Sequence, residues 1–228
     1  TKNFYKSYII SKSKKLPFVT AKIATSKDFY TKNTKNKWIT NRSSRGRVHL
    51  IRSSHDAIIT SSKTIKNDNS KLTCRINGLE KTSPSRFILD KNLTISLNSY
   101  ILKNSNKFKT TIFYSKGTNK KLKKLSNMKI KLIKLPLLEK SNFDLKQVLL
   151  KIKFLGFSRI LLEAGANLTK NFLDKNLINE FHLFISSKKI GSTGKLSFKK
   201  SIKMLKKNKY FKQNINLNGD KLITFIIK

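Results

Sequence analysis

The sequence predicts an α/β fold, a mostly parallel sheet flanked by helices and finished by an antiparallel C-terminal edge. Three observations predict it. Between Lys129 and Leu162 an apolar strand, a helix and a second apolar strand follow one another, which is the order of a βαβ crossover. The second strand, Arg159–Leu162, is almost continuously apolar, as expected of a strand covered on both faces. Near the end, two β-rich runs, Tyr210–Asn216 and Leu222–Ile227, flank Asn218-Gly219, a pair suited to a hairpin because both residues tolerate positive φ.

Taken in order, residues 1–15 are basic and without an apolar period, so they read as a linker or docking arm ahead of a domain over 16–228. Phe18–Ala24 alternates and is β-rich, a strand with Lys22 near its end. Asp28–Lys37 is polar and turn-like. A helix is expected from Asn41 to about Ser53, capped by Thr40 or Asn41. Ser44, Val48 and Ile51 would share one face of it, and Arg45, His49 and Arg52 another. Asp56–Thr60 is a short buried strand, and Ser61–Lys71 a polar segment. Arg86–Leu89 and Thr110–Tyr114 read as strands separated by a solvated loop over Lys103–Lys109. In the crossover, Lys129–Leu135 is the first strand, Ser141 or Asn142 the helix cap, and Leu145, Val148, Leu149 and Ile152 the buried stripe. Gly156 ends that helix. Gly165–Lys175 is a further helix, Asn179–Ser186 a strand and Gly191–Gly194 a turn.

Composition narrows the function. The 228 residues suffice for a real core. A single cysteine, Cys74, excludes an internal disulfide and fits a reducing cytoplasm. No apolar run approaches the roughly 18 residues of a membrane span, so a soluble chain without membrane partners is expected. The start at Thr1 rather than Met leads us to expect a piece of a longer protein. The formal charge of +40 suggests a nucleic-acid or anionic-surface partner. However, 44 of the 51 basic residues are lysines scattered through every segment, and asparagine numbers 22. That pattern fits drift in codon usage better than a binding footprint. The seven arginines carry more information, since six of them (Arg42, Arg45, Arg47, Arg52, Arg75 and Arg86) fall in one window. Where lysine is the default, an arginine suggests a planar fork for phosphate or carboxylate. We assign that role to Arg52 and Arg75, and read Arg42 and Arg47 as helix decoration.

The segment from Trp38 to Arg75 therefore stands out: it places a tryptophan, arginines, threonines and an aspartate around one helix and one strand. Glu163-Ala164-Gly165 lies where an apolar strand opens a helix, the usual ligand position in an open α/β sheet, although many such turns contain glycine without any ligand. Asp68 could be a turn-former, Trp38 could be core or a stacking platform, and Cys74 reads as a packing residue. His49, His55 and His182 lack metal-ligand spacing, so no metal is expected.

Several pieces in order resemble the reductase half of the bacterial bifunctional riboflavin-biosynthesis deaminase/reductase. They are PFVTAKIATSKD (Pro17–Asp28), KWIT (Lys37–Thr40), VHLIR (Val48–Arg52), HDAIITSSKT (His55–Thr64), LTCR (Leu72–Arg75), RFILD (Arg86–Asp90), LLEAGANL (Leu161–Leu168), LINEF (Leu177–Phe181) and IG (Ile190–Gly191). The resemblance implies a dihydrofolate-reductase-like fold and NADPH-dependent reduction of 5-amino-6-(5-phosphoribosylamino)uracil, opening its ribose into a ribityl chain. It implies substrate contacts at Asn36, Arg52, Leu72, Arg75 and Glu163. It also implies cofactor contacts at Ala24, Trp38, Thr64, Asp68, Gly165, Ala166, Asn167, Leu168, Thr169, Lys170 and Asn171. Lys22, Asp68 and Glu163 would be catalytic: Lys22 and Asp68 orienting and protonating the sugar, Glu163 holding the pyrimidine, Arg52 and Arg75 clamping the phosphate. A homodimer and an upstream zinc deaminase domain are implied too, the start TKNFYKSYI resembling the junction after that domain.

The sequence departs from the family at Asn36 and Lys91, where serine is usual, and in the turn Ser26–Phe29, which lacks the family's glycine. Competing readings are a sister reductase acting on the still-aminated pyrimidine, a basic nucleic-acid-binding module and a catalytically dead partner of the deaminase. Dispersed lysines and the βαβ unit argue against the second, and Lys22, Asp68 and Glu163 against the third.

Overall fold

The structure, a computed structural model, describes residues 2–13, 15–138 and 141–227. Helix α1 (Lys2–Ser13) precedes strands β1 (Phe18–Thr25) and β2 (Tyr30–Asn33), and α2 (Arg42–Ser53) leads to β3 (Ala57–Ser61) and α3 (Ser62–Asp68). Then come β4 (Ser85–Leu89), α4 (Tyr100–Lys103), β5 (Thr110–Tyr114), α5 (Asn119–Asn127) and β6 (Lys131–Lys134). Two short strands, β7 (Leu137–Leu138) and β8 (Asn142–Phe143), are followed by α6 (Leu145–Phe154), β9 (Arg159–Leu162), α7 (Ala166–Asp174) and β10 (Glu180–Ile185). The chain finishes with β11 (Gly194–Ser197), α8 (Lys199–Leu205), β12 (Lys209–Lys212) and β13 (Lys221–Ile226).

These elements sort into two compact units. The first takes Thr1–Phe18 and Arg52–Leu161. Its strands run in the order β9-β3-β4-β5-β6, and β3, β4, β5 and β6 pair in parallel. Phe87 packs against Phe113 and edge-on against Phe157 at the centre of this unit, with centroids 5.9 and 5.1 Å apart. Arg86 is fully buried beside it. Its Nε and Nη2 donate to Thr110 Oγ1, and Nη2 donates to the carbonyls of Phe108 (2.7 Å) and Ile101 (3.2 Å). Burial pushes this guanidinium down to about 10. Arg86 is thus a structural staple for the loop after α4.

The second unit takes Val19–Ile51 and Leu162–Lys228. Its strands run β12-β13-β10-β1. Strands β1 and β10 are parallel, while β13 pairs antiparallel with both β10 and β12. This is the antiparallel C-terminal edge that the hairpin signal predicts, and Asn218 and Gly219 do take positive φ, 49° and 88°. Phe181 stacks on Phe198 and meets Phe225 edge-on in this unit's core.

Several expectations need correction. The crossover joins β6 to β9, which stand at opposite ends of the first unit's strand order. Its helix is capped by Asp144, whose side chain accepts from the N–H groups of Lys146 and Gln147, and not by Ser141 or Asn142. The reason is that Asn142–Phe143 is occupied in pairing with Leu137–Leu138. Gly156 does end α6, with φ 93°. The segment Ser61–Lys71 contains helix α3, capped by Ser61 and anchored by one buried residue, Ile65, too little to show a period. Residues 1–15, expected as a linker or docking arm, contain helix α1. There Ser7 and Ser11 are buried while Tyr5, Tyr8 and Ile9 are exposed. The turn-like stretches around Asp28–Lys37 and Gly191–Gly194 contribute β2 and β11, which pair antiparallel. No helix among the described residues is long and apolar enough to cross a membrane.

Candidate active site

The second unit assembles a charged cluster on β1. Alternation along the strand sends Thr20, Lys22 and Ala24 to one face, where burial is incomplete at Lys22 and Ala24. Lys22 Nζ lies 3.5 Å from Glu163 Oε1, with side chains 15% and 14% exposed. Glu163 follows the buried strand β9 immediately, so the backbone that buries Leu162 delivers the carboxylate. An ion pair this sheltered holds its geometry better than an exposed one, because water competes less for either partner.

Sequence reasoning missed the next neighbours. In the parallel β1–β10 register Lys22 stands opposite His182, and Thr20 opposite Glu180. His182 Nε2 is hydrogen-bonded to Glu180 Oε1. The signal was present: Glu180 and His182 are two apart on a strand, hence on one face.

A second feature of this unit is Trp38, 59% exposed. The Arg45 guanidinium lies 4.6 Å from its ring centroid and Lys37 Nζ 5.3 Å. Arg45 Nη1 also donates to the Thr40 carbonyl at 2.6 Å. The platform is fixed at the start of α2. Asn41 is the cap, its Oδ1 accepting from Ser44 N at 3.0 Å, and Asp220 Oδ2 accepts from Asn41 N and Ser44 Oγ at 2.9 and 2.8 Å. Ser44, Val48 and Ile51 form the buried face of α2, as the periodicity predicts. Asn36 is exposed in the preceding loop.

Helix α7 begins at Gly165, with no side-chain cap and no acidic residue in its first turn, the arrangement that suits an anion. The implied contact segment divides by face. Asn167, Lys170 and Asn171 are exposed and Leu168 half-buried, whereas Ala166 and Thr169 point into the core with Phe172.

The first unit brings Arg52 and Arg75 to one residue. Arg52, in the last turn of α2, is buried and its Nη1 donates to the Thr73 carbonyl at 3.0 Å. Arg75 is exposed, and its Nη1 donates to Thr73 Oγ1 at 3.4 Å. The backbone between them is set by Leu72, which is buried with φ 54°, a left-handed conformation costly for a leucine. Cys74 N donates to Ser83 Oγ at 3.0 Å and pins the far side. Thr64 is engaged with its cap, Ser61 Oγ standing 3.1 Å from Thr64 Oγ1. Asp68 is the last residue of α3 and is exposed.

Comparison with known proteins identifies the family and the fold. A family profile described as the RibD C-terminal domain matches residues 17–214. The riboflavin biosynthesis protein RibD of Aquifex aeolicus is 30% identical over 199 residues, covering 84% of this chain and 54% of its own length. A protein of Buchnera aphidicola named 5-amino-6-(5-phosphoribosylamino)uracil reductase is 27% identical over 184 residues, 72% of this chain and 81% of its own. Among solved structures, RibD of Acinetobacter baumannii superposes with a TM-score of 0.76 at 22% identity, over 97% of this chain and 61% of that one, which shows a shared fold. The chain spans about half the length of most curated relatives it matches.

Proposed function

This chain belongs to the RibD C-terminal domain family, and on that premise we propose that it is an NADPH-dependent reductase of 5-amino-6-(5-phosphoribosylamino)uracil. The observation that carries the reading is the sheltered Lys22–Glu163 pair. A ribosylamine must open before it can be reduced, and opening requires a proton at the departing ring oxygen. Lys22 is the group that holds such a proton, and Glu163 keeps its stem in place while offering its remaining acceptor capacity to the pyrimidine. Arg52 and Arg75, both bonded to Thr73, hold the phosphate, since two guanidiniums can grip several of its oxygens. Asp68 presents an exposed carboxylate that can orient the sugar hydroxyls.

A dinucleotide asks for a flat surface for a ring and for N–H donors at its pyrophosphate. The residues present fit both demands: Trp38 with its flanking cations, and the first turn of α7, which follows a glycine and carries no acidic residue. Asn167, Lys170 and Asn171 can reach such a ligand, whereas Ala166 and Thr169 support the helix from behind. When bound, the nicotinamide supplies the hydride that reduces the first ribose carbon.

The same reading carries a homodimer, a cytoplasmic location and an upstream zinc deaminase that prepares the substrate. The test is NADPH oxidation followed at its near-ultraviolet absorbance, with the deaminated pyrimidine as substrate and the aminated precursor as control. Turnover of the deaminated compound alone supports the proposal. Turnover of the aminated one alone moves the chain to the sister reductase.

A further inference from the structure

The stacking surface at Trp38 is anchored from the far end of the sequence. Helix α2 carries no acidic residue in its first turn, although the helix dipole favours a negative group there. The carboxylate comes instead from Asp220, 179 positions after the Asn41 cap and 7% exposed. Its Oδ2 accepts from Asn41 N at 2.9 Å and from Ser44 Oγ at 2.8 Å, and its Oδ1 accepts from Ser187 N at 3.1 Å. The turn that leads into β13 closes on the same place. Asn41 Nδ2 donates to the carbonyls of Leu217 and Asn218 at 2.6 and 3.0 Å, and Asn218 Nδ2 donates to Ser43 Oγ at 3.0 Å.

This junction carries the mount of Trp38. The ring is 59% exposed, so it is held by the segment it hangs from and by the cation over it rather than by packing. A cation over an exposed ring holds it only weakly. The backbone must therefore supply the rest, and Asn41 follows Trp38 by three residues. Arg45 N donates to the Asn41 carbonyl at 3.2 Å. The Arg45 side chain returns to the Thr40 carbonyl and places its guanidinium 4.6 Å from the ring centroid. Ring and cation thus both depend on the turn that Asp220 grips.

We infer, on the cofactor role proposed for Trp38, that Asp220 is a positioning residue for NADPH. By holding Asn41 and Ser44 it sets the Trp38–Arg45 surface on which a ring of the dinucleotide stacks. It acts through that surface and not on the cofactor itself. A carboxylate suits the task because both of its oxygens accept, so donors from α2 and from Ser187 fix it from two sides. Asparagine offers only one accepting oxygen and turns an amine towards the other donors. The first turn of α2 is then free to shift against the hairpin.

In Asp220→Asn the dissociation constant of NADPH, measured by calorimetry, should rise about three- to tenfold, the range of a lost aromatic stacking contact. The Michaelis constant for NADPH should rise with it, while kcat at saturating NADPH keeps its wild-type value. Ser44→Ala removes one bond of the same carboxylate and should shift affinity in the same direction by less; it carries the test should Asp220→Asn fail to fold. In a Trp38→Ala background, Asp220→Asn should leave the dissociation constant within about twofold, the error of additive sites. Trp38 is the sole tryptophan, so its fluorescence anisotropy reads the mount directly and should fall in Asp220→Asn. Wild-type affinity and anisotropy in both variants would overturn the inference and leave Asp220 a stabiliser of the fold. Equal weakening of NADPH binding with and without Trp38 would overturn it too. If wild type binds no NADPH, the cofactor reading fails, while the anisotropy still decides whether Asp220 sets the ring.

Discussion

Replacing Glu163 by glutamine keeps the shape of the side chain and removes its charge, so it isolates what the carboxylate does for Lys22. The two charged atoms are 3.5 Å apart, and both side chains are about 85% buried. At an effective dielectric of about 20, unit charges at that distance attract by roughly 4.7 kcal/mol. Withdrawing both groups from water offsets much of this, at several kcal/mol for a deeply buried ion. The net coupling should therefore lie at about 1–3 kcal/mol. That is above the roughly 0.2–1 kcal/mol of an exposed pair and below the roughly 3–5 kcal/mol of breaking a fully buried one. Thermal and urea melts of wild type, Glu163→Gln, Lys22→Met and the double variant measure it as a cycle. Glu163→Gln alone should lower the melting temperature by about 5 °C, since each kcal/mol moves a chain of this size by about 2–4 °C. A coupling below about 0.5 kcal/mol, within the error of additive sites, would refute the reasoning, because the pair would then be no more than a surface contact.

Arg75→Ala should raise the Michaelis constant for the pyrimidine about tenfold or more, as expected for a lost charged hydrogen bond of about 1.5–3 kcal/mol, and leave stability within about 0.5 kcal/mol; a larger stability loss with an unchanged constant contradicts the phosphate role. Arg86→Met strands the carbonyls of Ile101 and Phe108 and should cost about 2–5 kcal/mol in urea melts, each buried orphan being worth about 1–3. Stability close to wild type would show that the loop does not depend on it. Trp38→Ala should weaken NADPH binding several-fold in a fluorescence titration and leave the melting temperature unaltered; unchanged affinity removes Trp38 from the cofactor site. Burial pushes the Asp28 carboxyl up, but bonds from the Ser26 side chain and from the N–H groups of Gly191 and Ile190 outweigh it and hold it at about 2. A group lowered on folding stabilises fully above its unfolded value of about 3.9 and loses that stabilisation as pH falls towards 2. Asp28→Asn should accordingly flatten the acid limb of a stability–pH curve between about pH 4 and 2, and an identical slope would contradict the assignment.

How far the sequence could be read depended on how each element is stabilised. Strands β3 and β9 and the stripe Leu145, Val148, Leu149 and Ile152 bury their own apolar residues, so local pattern was enough. Helix α2 was legible for the same reason, its cap and buried face both being written in residues 41–51. Elements held by distant partners were not legible. Strand β2 exists because β11 pairs with it across 161 to 167 positions of sequence, and α3 hangs on Ile65 alone. Within the candidate site, Arg52 and Arg75 stood out because arginine is scarce against a lysine background, and the structure gives both to Thr73. The Lys22–Glu163 contact was not legible: the family resemblance implies a role for each residue without pairing them, and nothing local links residues 141 apart in sequence. The Glu180–His182 pair is visible in the sequence only as two residues on one face of a strand. Only the register of β10 against β1 shows that it lies beside a lysine.

The most direct test of the central claim follows the hydrogen itself. Reaction of the deaminated pyrimidine with NADPH carrying deuterium on one or the other face of the nicotinamide should place one deuterium on the first ribityl carbon from one of the two labelled forms. Mass spectrometry of the isolated product reads this without reference to rate. Absence of a reduced product despite NADPH binding, or deuterium at any other position, would contradict the account.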